Sequence, residues 1–346
     1  MTKLNIIIIG AGWYGCYTAL LLQKLHNVTI IEKEKDIFEK SSFYNQNRLH
    51  LGYHYCRNYK TRNLCKKGFD KFISKFNTED IIHQINKNYY LISDKSSIDF
   101  QSIFSIYKYE NYIFDIIKNQ DFKNINDNIL SVDECVISSN KSKDFFTNNI
   151  ICKKIFNKKV ILINSENDSN VILDDNSIIN CDLIIDCTFN ALNLSSKKYI
   201  YEKTICLLYK KYSETNFDAI TVIDGKFFSL YPHDISNNIY TLTDVEFTPL
   251  ITSEKIEDVD NFVLESSKID TVRCEMETKV HYYYKNFKDH FQYIGYFTSN
   301  KTKLICNSDS RECNIEKIND KLISVNCGKI TGIFELEDYF KEILLI

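Results

Sequence analysis

Residues 5–32 constrain this chain more than any other stretch. Asn5-Ile6-Ile7-Ile8-Ile9 is an apolar run of strand character that breaks into Gly10-Ala11-Gly12-Trp13-Tyr14-Gly15, and a helical pattern continues to about His26. A second apolar run, Val28-Thr29-Ile30-Ile31, stops on Glu32. Strand, glycine turn, helix, strand and acid in that order make a dinucleotide-binding fingerprint. Gly10 turns the chain off a buried strand, Gly12 lets a pyrophosphate approach the backbone, and Gly15 lets the helix close on the sheet. The helix start offers free N–H groups and a positive dipole end to phosphate. A carboxylate at Glu32 accepts hydrogen bonds from both ribose hydroxyls and repels a 2′-phosphate, which disfavours NADP. Glycine is scarce, nine in 346 residues, and three fall in this six-residue motif, so chance is a poor account of it. The spacer residues Trp13 and Tyr14, and Lys33 beyond the acid, are counted with the cofactor-binding candidates.

Composition narrows the class. A chain of 346 residues with 44 % apolar and 26 % charged residues is an ordinary globule, long enough for two domains or one interleaved pair. A net charge of −3, with lysines dispersed along the chain, offers no phosphate-tracking stripe, so nucleic acid is not an expected partner. The first 22 residues are interrupted by the glycines and lead to no small-residue cleavage site, and no stretch of eighteen apolar residues follows. A cytoplasmic protein without a membrane span is expected. Twelve cysteines are spread from Cys16 to Cys327 without a C-x-x-C pair, which predicts reduced, mostly buried thiols and no metal site.

Two further segments carry chemistry. Residues 41–55 gather Ser42, Asn45, Gln46, Arg48, His50 and His54 around a single glycine, Gly52. Asn45 and Gln46 suit a pyrophosphate or a ring edge, and His50 and His54 share one face if the segment is helical. A polar cluster that only satisfies its own backbone is the plainer alternative. Near the C-terminus, Leu322–Cys327 reads as a strand that breaks at Gly328-Lys329-Ile330-Thr331 into a helical run, a second strand-glycine-helix junction.

The glycine fingerprint, the acid, the S-S-x-x-N-Q-x-R-L-H-x-G-x-H-Y segment and the closing G-K-x-T together resemble the FAD-dependent D-amino-acid oxidase and glycine oxidase superfamily, which includes 2-hydroxyglutarate and glycerol-3-phosphate dehydrogenases. The resemblance implies FAD as cofactor, with Ser42, Asn45, Gln46, Arg48, Leu49 and His50 on the flavin side. It makes His50 the candidate for covalent attachment. It sets Val160 near the adenine and Thr188 at the end of the last meander-side strand, where Phe189 stands in place of the family's usual glycine. Gly328, Lys329, Ile330 and Thr331 would aim the last helix at the flavin pyrimidine, favouring reduced flavin. By position, Arg311 would grip a substrate carboxylate or phosphate with its guanidinium fork, with Lys301 as a second candidate.

The expected fold is therefore α/β: a Rossmann-like FAD-binding domain, made of a parallel sheet and a β-meander, beside an antiparallel-sheet α+β substrate domain. The expected division is 1–75, 150–195 and 296–346 for the first and 76–149 with 196–295 for the second. Helices are expected over 33–40, 57–76 and 96–118, and a split helix over 254–291. The expected chemistry is removal of a hydride from a C–H beside an amine or hydroxyl of a small, anionic substrate, with oxygen or another acceptor taking the electrons; His50 or His54 would take a hydroxyl proton. The rival readings are a redox-neutral, mutase-like flavoenzyme acting on a sugar nucleotide, and a flavin-bearing interaction protein without turnover.

Overall fold

The computed structural model describes residues 2–166, 168–306 and 311–344. In chain order the elements are β1 (Asn5–Ile9), α1 (Trp13–Leu22), β2 (Asn27–Ile31), β3 (Arg48–Leu49), α2 (Tyr59–Phe76), β4 (Ile82–Ile92), α3 (Phe100–Tyr109), β5 (Asp115–Ile117), β6 (Ile129–Ile137), α4 (Ser139–Asn149), β7 (Lys153–Ile155), β8 (Val160–Asn164), β9 (Asn170–Leu173), β10 (Ile178–Asn180) and β11 (Leu183–Asp186). There follow β12 (Tyr199–Lys211), β13 (Ala219–Ile223), β14 (Phe228–Asp234), β15 (Ile239–Asp244), β16 (Pro249–Ser253), α5 (Ile256–Asp260), α6 (Ser266–Tyr283), α7 (Phe287–His290), β17 (Phe291–Leu304), β18 (Asn314–Asn319), β19 (Leu322–Asn326) and α8 (Ile333–Leu344).

Two large sheets organise these elements. The first has the order β18-β19-β11-β1-β2-β7, parallel throughout except for the antiparallel edge strand β18. The isoleucines of β1 alternate between two cores, as a strand covered on both faces requires: Ile6 and Ile8 pack with α1, α2 and α8, and Ile7 and Ile9 pack against the β8-β9-β10 meander. The second sheet has ten strands, ordered β16-β12-β15-β14-β13-β4-β6-β3, with β17 along β12 and β5 along β6. It is antiparallel apart from the β4–β13 pair.

The structure moves several expected boundaries. Residues 33–40 form turns rather than a helix, because Phe38 adopts φ 63° and its amide donates to the Ala11 carbonyl, tying the stretch to the glycine turn. The helix expected over 96–118 ends at Tyr109, and Asp115–Ile117 pairs with β6 instead. The helix α4 docks on α1 through Phe146 and belongs with the first core, while β17 runs along β12, so residues 296–304 lie in the large sheet. No described helix is long and apolar enough to cross a membrane.

Candidate functional site

A cavity of 2070 Å³ opens at the carboxyl ends of the parallel strands, where Ile9, Ile31, Cys187 and Val325 border it, and runs beneath the large sheet at Thr204, Thr221, Ser229 and Thr243. Ligands of open α/β sheets sit in this position, beyond the strands' carboxyl ends.

The glycine turn is built by close contact. Gly10 has φ 96°, and a Cβ there would lie 2.8 Å from the Cys187 carbonyl oxygen. A Cβ on Gly15 would lie 1.9 Å from the Gly10 carbonyl oxygen, so helix and strand touch. Gly12 has φ −80°, open to any residue; what it provides is space, since its Cβ would stand 2.6 Å from Ser42 Oγ. That oxygen accepts from the Trp13 amide at 2.9 Å. Trp13 borders the cavity, but its indole packs among Phe38, Phe72, Phe76 and Phe146, so the side chain serves the core rather than a cofactor. Tyr14 reaches across to the other end of the chain and donates to the Lys329 carbonyl at 2.6 Å. Glu32 accepts from the Ala11 amide at 2.7 Å and the Glu34 amide at 3.0 Å, which fixes its carboxylate at the cavity wall beside exposed Lys33.

The 41–55 segment crosses from one sheet to the other. Asn45 holds its own loop, donating to the Ser41 and Ser42 carbonyls and accepting from the Asn47 amide. Gln46 donates to Thr243 Oγ1 of the large sheet at 3.0 Å. Here β3 pairs Arg48 with Val136 and Leu49 with Cys135. Alternation then decides the roles: Arg48 and His50 border the cavity, while Leu49 turns the other way and is buried in the first core. Leu49 is thus corrected from a flavin contact to a packing residue. His50 and His54 lie on an irregular stretch, not a helix, yet their ring centroids are 4.9 Å apart.

A buried polar chain connects them. Arg48 donates to His54 Nε2 at 2.9 Å, to Thr221 Oγ1 at 3.0 Å and to Ser229 Oγ at 2.6 Å, over the Tyr231 ring. Tyr90 donates to Glu134 at 2.9 Å, so its oxygen accepts from His54 Nδ1 at 2.7 Å. Glu134 also accepts from the Leu51 amide and from Asn88. Burial pushes the Glu134 carboxyl's pKa up, opposed by the Arg48 charge and these hydrogen bonds. Burial, followed by the Arg48 and Lys329 charges, holds His54 well below the usual histidine range. The same holds for His50, through burial, then Lys329, His54, Arg48 and Lys301. Its Nε2 lies 3.0 Å from Lys329 Nζ, which leaves the proton of the neutral ring on Nδ1. That Nδ1, like Arg48 Nε, is buried with no hydrogen-bond partner among the described residues.

Cations converge at this end. Lys301 is exposed along the open cavity, and its pKa falls to about 7 through the protein crowded around it and then the charges of Arg311, Lys303 and Lys329, against which Glu202 acts. Arg311 borders the same cavity and its amide donates to Thr61 Oγ1 at 3.0 Å. Val160 and Thr188 border it from the meander and from the end of β11. Phe189 takes φ 61° there, the left-handed conformation a glycine would favour. At the C-terminal junction Gly328 is exposed and a Cβ on it meets nothing within 4 Å, so it carries no steric constraint. The constrained glycine is Gly332, whose Cβ would lie 2.4 Å from the Tyr14 hydroxyl. Lys329, Ile330 and Thr331 border the cavity.

Sequence reasoning missed Gly332, Tyr90 and Glu134. Glu134 was detectable by alternation, as the carboxylate between Val132 and Val136 on one face of the strand; Tyr90, one of 23 tyrosines, was not.

A family model described as FAD dependent oxidoreductase matches residues 5–110. The chain is similar to the FAD-dependent monooxygenase FPY4 of Fusarium mangiferae, 29 % identical over 94 % of this chain and 87 % of that one. Among solved structures it is similar to L-alpha-glycerophosphate oxidase from Mycoplasma pneumoniae with FAD bound, with TM-score 0.74, 14 % identity and coverage of 99 % and 94 %. It is also similar to glycine oxidase from Geobacillus kaustophilus, with TM-score 0.72, 9 % identity and coverage of 96 % and 91 %.

Proposed function

We propose that this chain, whose residues 5–110 match the FAD dependent oxidoreductase family, is a member of the D-amino-acid oxidase superfamily that oxidises a small anionic substrate at a C–H beside an amine or hydroxyl. The residues fit FAD. The cavity borders both strand-glycine-helix junctions, Gly12 borders it with no side chain of its own, and His50 Nδ1–H is a buried donor that lacks an acceptor. Bound FAD supplies the hydride acceptor.

The observation that carries the substrate class is the cluster of Lys301, Arg311 and Lys329 on one end of the cavity. Arg311 and Lys329 hold the substrate's carboxylate or phosphate. Lys301, with its pKa near 7, takes the proton from the amine or hydroxyl, because a base works best with a pKa near the working pH. The two histidines are poor bases here: both are held neutral, and His54 already spends its two ring nitrogens on Arg48 and Tyr90. They orient and donate instead.

The test is an anaerobic titration of the purified yellow protein with amino acids, 2-hydroxy acids and their neutral amides. Bleaching of the flavin bands by anionic donors and not by the amides supports the reading; bleaching by neither removes it and favours a redox-neutral or non-turning protein. Colour retained in an acid precipitate would assign covalent attachment, with His50 as the residue to map. The similarity to a monooxygenase over nearly the whole chain favours a second reading, oxygen insertion. Incorporation of ¹⁸O from labelled O₂ into product, in place of peroxide release, distinguishes it.

A further inference from the structure

Cys313 and Cys327 stand outside everything assigned above. The antiparallel register of β18 and β19 sets Asn314 opposite Asn326, so the next pair outward is Cys313 opposite Cys327. Alternation puts Cys313 on the face of Ile315 and Cys327 on the face of Val325, both of which pack into the first core. Both thiols are free, and each lies near enough to shift the other's titration. Directly opposed residues of an antiparallel pair have Cα atoms about 4.5–5.5 Å apart, within the span of a disulfide. Gly332 gives an independent check, because a Cβ there would meet Cys327 Sγ at 2.5 Å and Cys313 Cβ at 3.3 Å.

The pair is polarised. Burial raises the Cys327 thiol, but the neighbouring polar groups of Cys313, Tyr14 and Lys329 outweigh it and bring the pKa down. The neighbouring Cys327 thiol, then burial, pushes Cys313 up. Of the two, Cys327 is the readier to give up its proton and act as nucleophile, and it borders the cavity. Cys327 Sγ and the Tyr14 hydroxyl both lie on the Lys329 carbonyl, at 3.5 and 2.6 Å.

We propose that Cys313 and Cys327 are a peroxide-oxidised dithiol whose disulfide ties β18 to β19 and loosens the Lys329 turn at the cofactor cavity. Cys327 sulfur attacks one oxygen of hydrogen peroxide and breaks the O–O bond, giving a sulfenic acid and, after proton uptake, water. Cys313 sulfur then displaces the sulfenic hydroxyl, which leaves as a second water with the Cys313 proton. Two thiols lose two electrons and two protons, and one peroxide becomes two waters. The disulfide withdraws Cys327 from the Lys329 carbonyl and weakens the hold on FAD.

The test treats the FAD-loaded protein with a small excess of hydrogen peroxide, alkylates it and maps peptides without reductant. A 313–327 cross-link that dithiothreitol reverses is expected, with the FAD dissociation constant raised roughly three- to tenfold while it persists, the size of one lost hydrogen bond. In Cys313→Ser, a dimedone adduct on Cys327 replaces the cross-link and the reversible change in affinity disappears. The proposal is overturned if both thiols stay alkylatable under peroxide that oxidises exposed Cys274, or if the cross-link forms and FAD affinity does not move.

Discussion

Replacing Gly12 with alanine tests the glycine turn most sharply, because its backbone angle of −80° suits alanine and only space opposes the change. The new Cβ starts 2.6 Å from Ser42 Oγ. Relief to an ordinary contact needs a retreat of roughly 0.6–0.8 Å, which breaks the 2.9 Å bond from the Trp13 amide and orphans a donor at the start of α1. An unsatisfied buried N–H costs about 1–3 kcal/mol, so the apoprotein of Gly12→Ala should unfold at lower urea by that amount. Ser42→Gly loses the same bond without the clash, and Gly12→Ala added to it should cost little more. The two substitutions are therefore expected to be non-additive by about 1–2 kcal/mol. Flavin fluorescence titration separates stability from binding: the double variant should regain the stability of Ser42→Gly and still bind FAD at least about tenfold more weakly, because the methyl group remains where a phosphate approaches. A Gly12→Ala protein within about 0.5 kcal/mol of the parent, or strict additivity of the pair, refutes the steric argument.

Three further outcomes follow from the site. Glu32→Ala removes the acceptor that fixes the Ala11 amide and should weaken FAD binding by about 1–3 kcal/mol by fluorescence titration, whereas unchanged affinity would count against its ribose role. Lys301 must be unprotonated to take a proton, so kcat/KM should climb as pH rises through about 7 and level off above it; Lys301→Met should lower the rate and abolish that limb, and a limb that survives the change assigns the base elsewhere. Phe189→Gly relieves a phenylalanine at φ 61° and should raise stability by about 1 kcal/mol less the entropy cost of a glycine, with a midpoint falling by more than that pointing instead to lost packing by the ring.

Local signals were legible where one element alone decides them. The alternating burial of Ile6 to Ile9, the contacts of Gly10 and Gly15, the position of Glu32 and the strand before Lys329 all follow from short-range pattern. What failed was set by distant partners. Residues 33–40 carry a helical charge pattern, but the Phe38 amide belongs to the Ala11 carbonyl, and a single long-range bond overrides the weak propensity of eight residues. Leu49 looked like a cofactor contact because it sits between Arg48 and His50; a two-residue strand is too short for alternation to declare itself in sequence. Gly328 and Gly332 could be ranked only once the Tyr14 hydroxyl and the Cys327 sulfur were known to occupy the space beside Gly332.

That last contact explains why the two ends of the chain make one site. Strands β1 and β19 flank β11 in the same parallel sheet, so the loops after them emerge at the same edge. Tyr14 closes the gap between those loops through the Lys329 carbonyl, and Lys329 in turn reaches His50 on the segment that enters the large sheet. Three stretches remote in sequence are thereby fixed to one another by the chain's own hydrogen bonds. Preorganisation of this kind lowers the ordering cost of binding, so the site should be rigid in the apoprotein and lose that rigidity when Tyr14→Phe removes the bridging hydroxyl. The relevant comparison is amide hydrogen exchange of residues 328–333 in the two apoproteins: faster exchange in the variant is the expected result, and equal protection would mean that packing of Gly332 alone holds the junction.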